Sequence, residues 1–287
     1  MTKRIIRYIC VLAMLMALPG EVAASVRIHC EQDTAIVSRL MAEASARGGT
    51  LGERCVYVAK ALAGTPYQSP RDNDSIGTMV VDLHGFDRLG FVNNVLAIAM
   101  ASRKSVPAVR DYEDALESFS RRKGEDNGFP AQLIYGADWI VDNVYRGNLK
   151  ELTEYLTGGG FKTKTLDYVT RHPDEYPALK NPAVLDKVRM AEMGYRSHRI
   201  PHLKKQSAGN KSLHELMNDG DIIMMLSNDV DFDLYDVGFV ELVDGVPHLI
   251  HVTHDTGLVT VDPYPLQRLF KLENQHFYGY RWLRPQE

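Results

Sequence analysis

Residues 86–100 read Phe-Asp-Arg-Leu-Gly-Phe-Val-Asn-Asn-Val-Leu-Ala-Ile-Ala-Met. Their density of apolar side chains predicts a helix buried on most of its circumference. Asp87 lies just before the apolar run and is a natural N-cap, because its carboxylate can accept a first-turn backbone N–H. Working outward, Met79 to Leu83 reads as a short apolar strand, and Gln68 to Gly77 as a polar, turn-rich stretch. Two further helices precede it. One covers Thr34–Ala46, with Ile36, Leu40 and Met41 at helical spacing and Gly48-Gly49 as its stop; the other covers Leu51–Leu62 and is closed by Ala63-Gly64-Thr65-Pro66-Tyr67.

Beyond the buried helix, residues 101–206 are rich in charge, proline and tyrosine, with helices expected around Tyr112–Ser120 and Trp139–Tyr145. This segment reads as a helical insertion packed beside the core, although Gly158-Gly159-Gly160 and the prolines from Pro173 to Pro182 also suit a linker. Arg121-Arg122-Lys123 reads as a solvated helix end. The last part is β: Asp221–Leu226, Tyr235–Val243, His248–Thr253, Leu258–Val261 and Phe277–Leu283 have strand character. Asp244-Gly245 is a hairpin signal and Asp255-Thr256-Gly257 a second turn. Helices first and an antiparallel meander after them define an α+β fold, N-terminal helices on a C-terminal antiparallel sheet.

The first residues point to export. Lys3, Arg4 and Arg7 precede an apolar run from Ile5 to Leu18, and Val22-Ala23-Ala24 offers a cleavage site before Ser25. This pattern is a secretory signal peptide over 1–24, and about 14 apolar residues are too few to span a bilayer. The mature chain, 25–287, is then one periplasmic or secreted domain with no membrane segment. Without the leader's three basic residues and Glu21, 30 basic residues face 36 acidic ones, a net charge of about −6. That balance gives no electrostatic basis for nucleic-acid binding. Cys30 and Cys55 remain after processing. In an oxidising compartment they are candidates for a disulfide clipping the first two helices, or else two buried free thiols.

Three elements stand in order: Gly64-Thr65-Pro66-Tyr67, then Phe86-Asp87-Arg88-Leu89-Gly90-Phe91-Val92, then Asp236-Val237-Gly238-Phe239. With Tyr135–Asn143, Asp219-Gly220-Asp221-Ile222-Ile223 and Leu249-Ile250-His251, this order resembles the NlpC-type, papain-like cell-wall hydrolases, and most closely their N-acetylmuramoyl-L-alanine amidase-like branch. The resemblance covers nearly the whole mature chain and implies a papain-like fold. It also implies a catalytic cysteine directly after the aspartate and a histidine directly before Val-Gly. A thiol at a helix N-terminus feels the positive end of the helix dipole, and a nearby imidazole takes its proton.

Here Arg88 stands at the implied cysteine position, Asp236 at the histidine position, and His251 at the third polar position. A guanidinium stays protonated and cannot be a nucleophile, so the family dyad is absent. The swap reverses the sign of each partner, which predicts an Arg88–Asp236 ion pair. Tyr67, Asp87 and Trp139 are candidate ligand contacts, with a helix-capping role for Asp87 and a helix-anchoring one for Asp138-Trp139 as the simpler readings. His248-x-x-His251-x-x-His254 suggests metal, but strand alternation turns His251 away from the other two; no metal or cofactor is assigned. The resemblance and the absent dyad together imply an inactive homologue of a peptidoglycan amidase or peptidase, with muropeptide binding as the property such a scaffold could keep. The alternatives are a hydrolase using Asp236 and His251, and a periplasmic module that binds or regulates a protein partner.

Overall fold

Seven strands run in the order 159–164, 198–204, 277–285, 222–227, 234–243, 246–252 and 259–265 through one antiparallel sheet, and an eighth, 149–151, also pairs with strand 277–285. The computed structural model describes residues 26–28, 30–69, 79–124, 128–156, 159–253 and 255–287. The expected leader with its cleavage site, Gly158, most of the turn-rich stretch after Gln68, and His254 lie outside the described residues. The strands are β3 (Leu149–Glu151), β4 (Gly159–Lys164), β5 (His198–Lys204), β6 (Ile222–Ser227), β7 (Leu234–Val243), β8 (Val246–Val252), β9 (Val259–Pro265) and β10 (Phe277–Pro285). A separate parallel pair joins β1 (Val26–Ile28) to β2 (Met79–Val81).

Three helices pack together before the sheet begins: α1 (Glu31–Arg47), α2 (Leu51–Ala61) and α3 (Arg88–Ala101). Every residue of α3 from Phe91 to Ala99 is buried. Its two polar members inside that run are matched: Asn93 Oδ1 accepts the Trp139 indole N–H at 2.8 Å, and Asn94 Oδ1 accepts the Tyr112 hydroxyl at 2.6 Å. A buried amide without partners would cost on the order of 1–3 kcal/mol. These bonds tie α3 to α4 (Val109–Ser120) and α5 (Gly136–Arg146). Phe91 packs edge-on against Phe86 and Phe239, which seats the helix on β7.

The helices and the C-terminal strands lie where the sequence places them, but the middle of the chain differs. Residues 101–206 are not wholly helical: besides α4, α5, α6 (Tyr168–Arg171) and α7 (Pro182–Met193), they supply β3, β4 and β5 to the main sheet. β4 is Gly-Gly-Phe-Lys-Thr-Lys, with only Lys164 buried, so it lacks the apolar alternation of a core strand. Lys164 is held by the backbone carbonyls of Ser227, Asp229 and Phe232. Two short helices, α8 (Lys211–His214) and α9 (Leu266–Leu272), complete the chain; α9, between β9 and β10, buries Leu266, Leu269 and Phe270.

Two further expectations are corrected. Arg121-Arg122-Lys123 is not simply a solvated end, because Arg121 is buried and Arg122 forms a two-pronged pair with the buried Asp138 at 2.7 and 2.5 Å. Cys30 and Cys55 are free thiols. Cys30 caps the start of α1, whereas Cys55 lies one turn into α2, just past the connection at residues 48–50. At 1.5 Å per residue the two are offset by roughly 20 Å along the helical pair, far beyond the Cα separation a disulfide tolerates.

The first turn of α2 crosses the turn before β6 at backbone contact. A Cβ on Gly52 would lie 2.0 Å from the Asp219 carbonyl oxygen, and Gly220 there has φ +79°. We expect Gly52→Ala to lower unfolding free energy by about 1–3 kcal/mol through overpacking, read as a lower urea midpoint. An unchanged midpoint would contradict this contact.

Candidate functional site

The start of α3 and strands β7, β8 and β9 bring five titratable side chains together: Asp87, Arg88, Asp236, His251 and Asp262. Asp87 is the N-cap of α3, accepting the Gly90 N–H at 2.7 Å. Burial pushes its carboxyl above the ordinary range, while the Gly90 and Leu89 N–H groups and the Arg88 charge pull it back. Arg88 is the first helical residue and so projects from the end of the helix.

Strand register builds the other half. Gly238 on β7 pairs with His251 on β8, and His251 pairs with Thr260 on β9. Side chains two residues apart share a face, so Asp236 and Asp262 flank His251 on the same side. Gly238 is what lets them converge: a Cβ there would lie 2.7 Å from the His251 Cβ and 2.4 Å from the Ile250 carbonyl oxygen. His251 Nδ1 lies 2.6 Å from Asp236 Oδ2, and its Nε2 lies 3.4 Å from Asp262 Oδ2. The second contact is an ion pair without hydrogen-bond geometry, for Nε2 has no hydrogen-bond partner.

The expected ion pair is present: Arg88 Nε stands 3.8 Å from Asp236 Oδ1. That nitrogen is buried and makes no hydrogen bond, so the attraction is electrostatic. Asp236 Oδ1 instead accepts the Val237 N–H at 2.7 Å. The Arg88 guanidinium also sits 5.6 Å from the centre of the Tyr67 ring, a cation–π contact. Tyr67 is fixed by its backbone, which donates to the Gly257 carbonyl at 2.7 Å, while Gln68 N–H and Phe86 N–H bond across to Phe86 and Pro66. The Gly-Thr-Pro-Tyr segment therefore straps the start of α3 to the start of β9.

Of the sequence-derived ligand candidates, Tyr67 and Asp87 stand at this group and Trp139 does not. Trp139 has no exposed surface and its indole serves Asn93, so it is a core anchor. His248 and His251 diverge; His248 Nδ1 is 3.1 Å from the Asp262 carbonyl oxygen, and His254 is outside the described residues. Asp262 is the member that sequence reading missed. Its signal was positional: it lies two residues beyond the partner of His251. A depression of about 450 Å³ lies elsewhere, lined by Arg122, Pro130 and Met190 among others.

The chemistry of the group follows from its charges. Burial alone would hold the His251 imidazole neutral, but the Asp236 and Asp262 carboxylates outweigh it and raise its pKa to about 9. A pKa raised to about 9 favours the imidazolium, with both nitrogens protonated, at pH 7. Asp236 is occupied by His251, Arg88 and the Val237 N–H. Neither free cysteine belongs to the group: Cys55 is enclosed in the core on α2, where burial pushes its thiol pKa up, and Cys30 caps α1. The arrangement sets two cations, Arg88 and His251, against the Asp236 and Asp262 carboxylates, with the α3-capping Asp87 beside them.

Because the folded pKa of His251 exceeds the unfolded value of 6.5, its contribution is complete below about pH 6.5 and is lost as pH rises through 9. The loss should be on the order of 3 kcal/mol. Chemical denaturation of the wild type should show this decline, and His251→Asn should not. An imidazole titration midpoint below 7 by NMR would contradict the assignment.

A family model described as AmiA-like, N-acetylmuramoyl-L-alanine amidase-like, matches residues 57–275. The fold is similar to a crystal structure of an N-acetylmuramoyl-L-alanine amidase from Bacteroides uniformis, at TM-score 0.74 and 24% identity, covering 83% of this chain and 100% of that one. It is similar to a putative xylanase from Bacteroides fragilis, at TM-score 0.70 and 25% identity, over 79% of this chain and 98% of that one. A Legionella pneumophila protein matches at TM-score 0.69 and 15% identity, over 90% and 95%. No curated protein matches the chain. The family match takes in α3, β7, β8 and β9, the elements that assemble the charged group; the chain belongs to the AmiA-like, N-acetylmuramoyl-L-alanine amidase-like family.

Proposed function

We propose that this protein is a catalytically inactive peptidoglycan amidase homologue that keeps the scaffold and binds muropeptides at the start of α3. The observation that carries the reading is the position of Arg88. It heads α3, where the resemblance to NlpC-type, papain-like hydrolases implies a nucleophilic cysteine, and its guanidinium is committed to Asp236 3.8 Å away. Asp236, at the implied histidine position, is in turn bound to a cationic His251. Covalent amide cleavage needs a nucleophile and a base able to take its proton. Arg88 cannot supply the first, and Asp236 and His251 are locked to one another. No helix of the described residues is long and apolar enough to cross a membrane, and the proposed location, after removal of residues 1–24, is the periplasm or the exterior.

Muropeptides carry carboxylates, amides and ammonium groups. The exposed part of Arg88, the Tyr67 ring and the cap of α3 present complementary chemistry at one surface. Mature protein incubated with purified peptidoglycan should release no fragments detectable by mass spectrometry. It should sediment with insoluble peptidoglycan, and Tyr67→Ala should weaken that retention several-fold. Fragment release abolished by Asp236→Ala would overturn the reading in favour of a hydrolase. Absence of retention would favour a protein-binding module.

A further inference from the structure

At the opposite end of the loop leading into α3, a second polar cluster surrounds one carboxylate. Asp33, on the first turn of α1, has no exposed surface. Its Oδ1 lies 3.2 Å from His84 Nδ1 and accepts the Leu83 N–H at 3.0 Å. Its Oδ2 lies 3.3 Å from Cys30 Sγ and accepts the Cys30 N–H at 3.2 Å. Among the described residues, no lysine or arginine is within ion-pair distance of Asp33; His84 is its one titratable cationic partner. A carboxylate enclosed in this way requires compensation.

One sulfur, one imidazole nitrogen and one carboxylate oxygen, from Cys30, His84 and Asp33, lie within 4.8 Å of one another. They come from the cap of α1, its first turn and the β2–α3 loop, so the fold and not a sequence motif assembles them. We propose that Cys30, Asp33 and His84 bind a zinc ion. Thiolate, imidazole and carboxylate form a zinc donor set, and the tetrahedral ion would leave its fourth position to water. The ligand atoms need only draw in slightly. His84 is half exposed and can re-aim its ring, and Asp33 can keep its backbone N–H bonds while donating a lone pair to the metal.

Charge balance supports zinc. Binding releases the Cys30 thiol proton to solvent, so Zn²⁺, thiolate and carboxylate sum to zero with a neutral imidazole. Both anionic ligands occupy the N-cap and third positions of α1, where the helix dipole favours negative charge. The ion would fasten the start of α1 to the loop that ends four residues later at Arg88. It would therefore stiffen the approach to the charged group without taking part in it.

The test uses the reduced, chelator-treated mature protein and two probes, Zn²⁺ for calorimetry and Co²⁺ for absorption. One equivalent of zinc should bind per chain, and cobalt should give a thiolate-to-metal charge-transfer band in the near ultraviolet. Cys30→Ser and His84→Ala should each weaken zinc binding at least about tenfold, since loss of even a group that only supports a ligand costs about 10–100-fold, and Cys30→Ser should abolish the band. Cys55→Ser should leave both unchanged, and circular dichroism checks that each variant is folded. Absence of stoichiometric binding, or binding that survives either ligand substitution, would overturn the proposal.

Discussion

One carboxylate ties the start of α3 to the sheet. Asp236 is nearly enclosed, and the partners that justify its charge come from different elements: His251 from the neighbouring strand and Arg88 from the helix packed on the sheet. An isolated buried charge of this kind is strongly unfavourable, and removing one partner of a buried pair typically costs about 3–5 kcal/mol. Arg88 is also poorly placed on its own, since a cation at a helix N-terminus opposes the dipole by roughly 0.3–1 kcal/mol. The carboxylate and the Tyr67 ring offset that penalty, so each member of the group makes its neighbours tolerable.

The surrounding fold depends on this arrangement and makes it rigid. Gly238 removes the side chain that would otherwise collide with His251, and the Gly-Thr-Pro-Tyr strap fixes the ring beneath Arg88 through backbone bonds. Behind the site α3 is enclosed along most of its length, and its buried asparagines are tied to neighbouring helices. A helix so constrained cannot withdraw Arg88 from Asp236 by sliding. The result is a group of opposed charges held on a rigid support.

Much of this was legible in the sequence, for physical reasons that differ by residue. The burial of α3 was visible because nearly every position is apolar, and the hairpin at Asp244-Gly245 because both residues adopt positive φ, 51° and 75°. The Arg88–Asp236 pair was accessible only through resemblance combined with charge, since 148 positions separate the two residues. Asp262 was not legible: its role rests on strand register, and Val-Asp-Pro-Tyr carries no local sign of it. Strands β4 and β5 were hidden by lysines and histidines whose amphipathic or backbone-bonded placement mimics a surface segment. Arg122 shows the reverse error: a basic run suggested solvent, yet its tertiary partner Asp138 draws it inward, whereas Trp139, bonded to Asn93, takes the anchoring role that was the simpler of its two readings.

The coupling between Arg88 and Asp236 is the most direct measure of whether the group acts as a unit. A double-mutant cycle with Arg88→Met and Asp236→Asn, followed by urea denaturation at pH 7, isolates it from the cost of each substitution. The account predicts a favourable coupling of about 1 kcal/mol or more, with the double variant more stable than the two single losses would suggest. Additivity within roughly 0.3–0.5 kcal/mol would mean that Arg88 merely lies near the carboxylate, and would contradict the central claim.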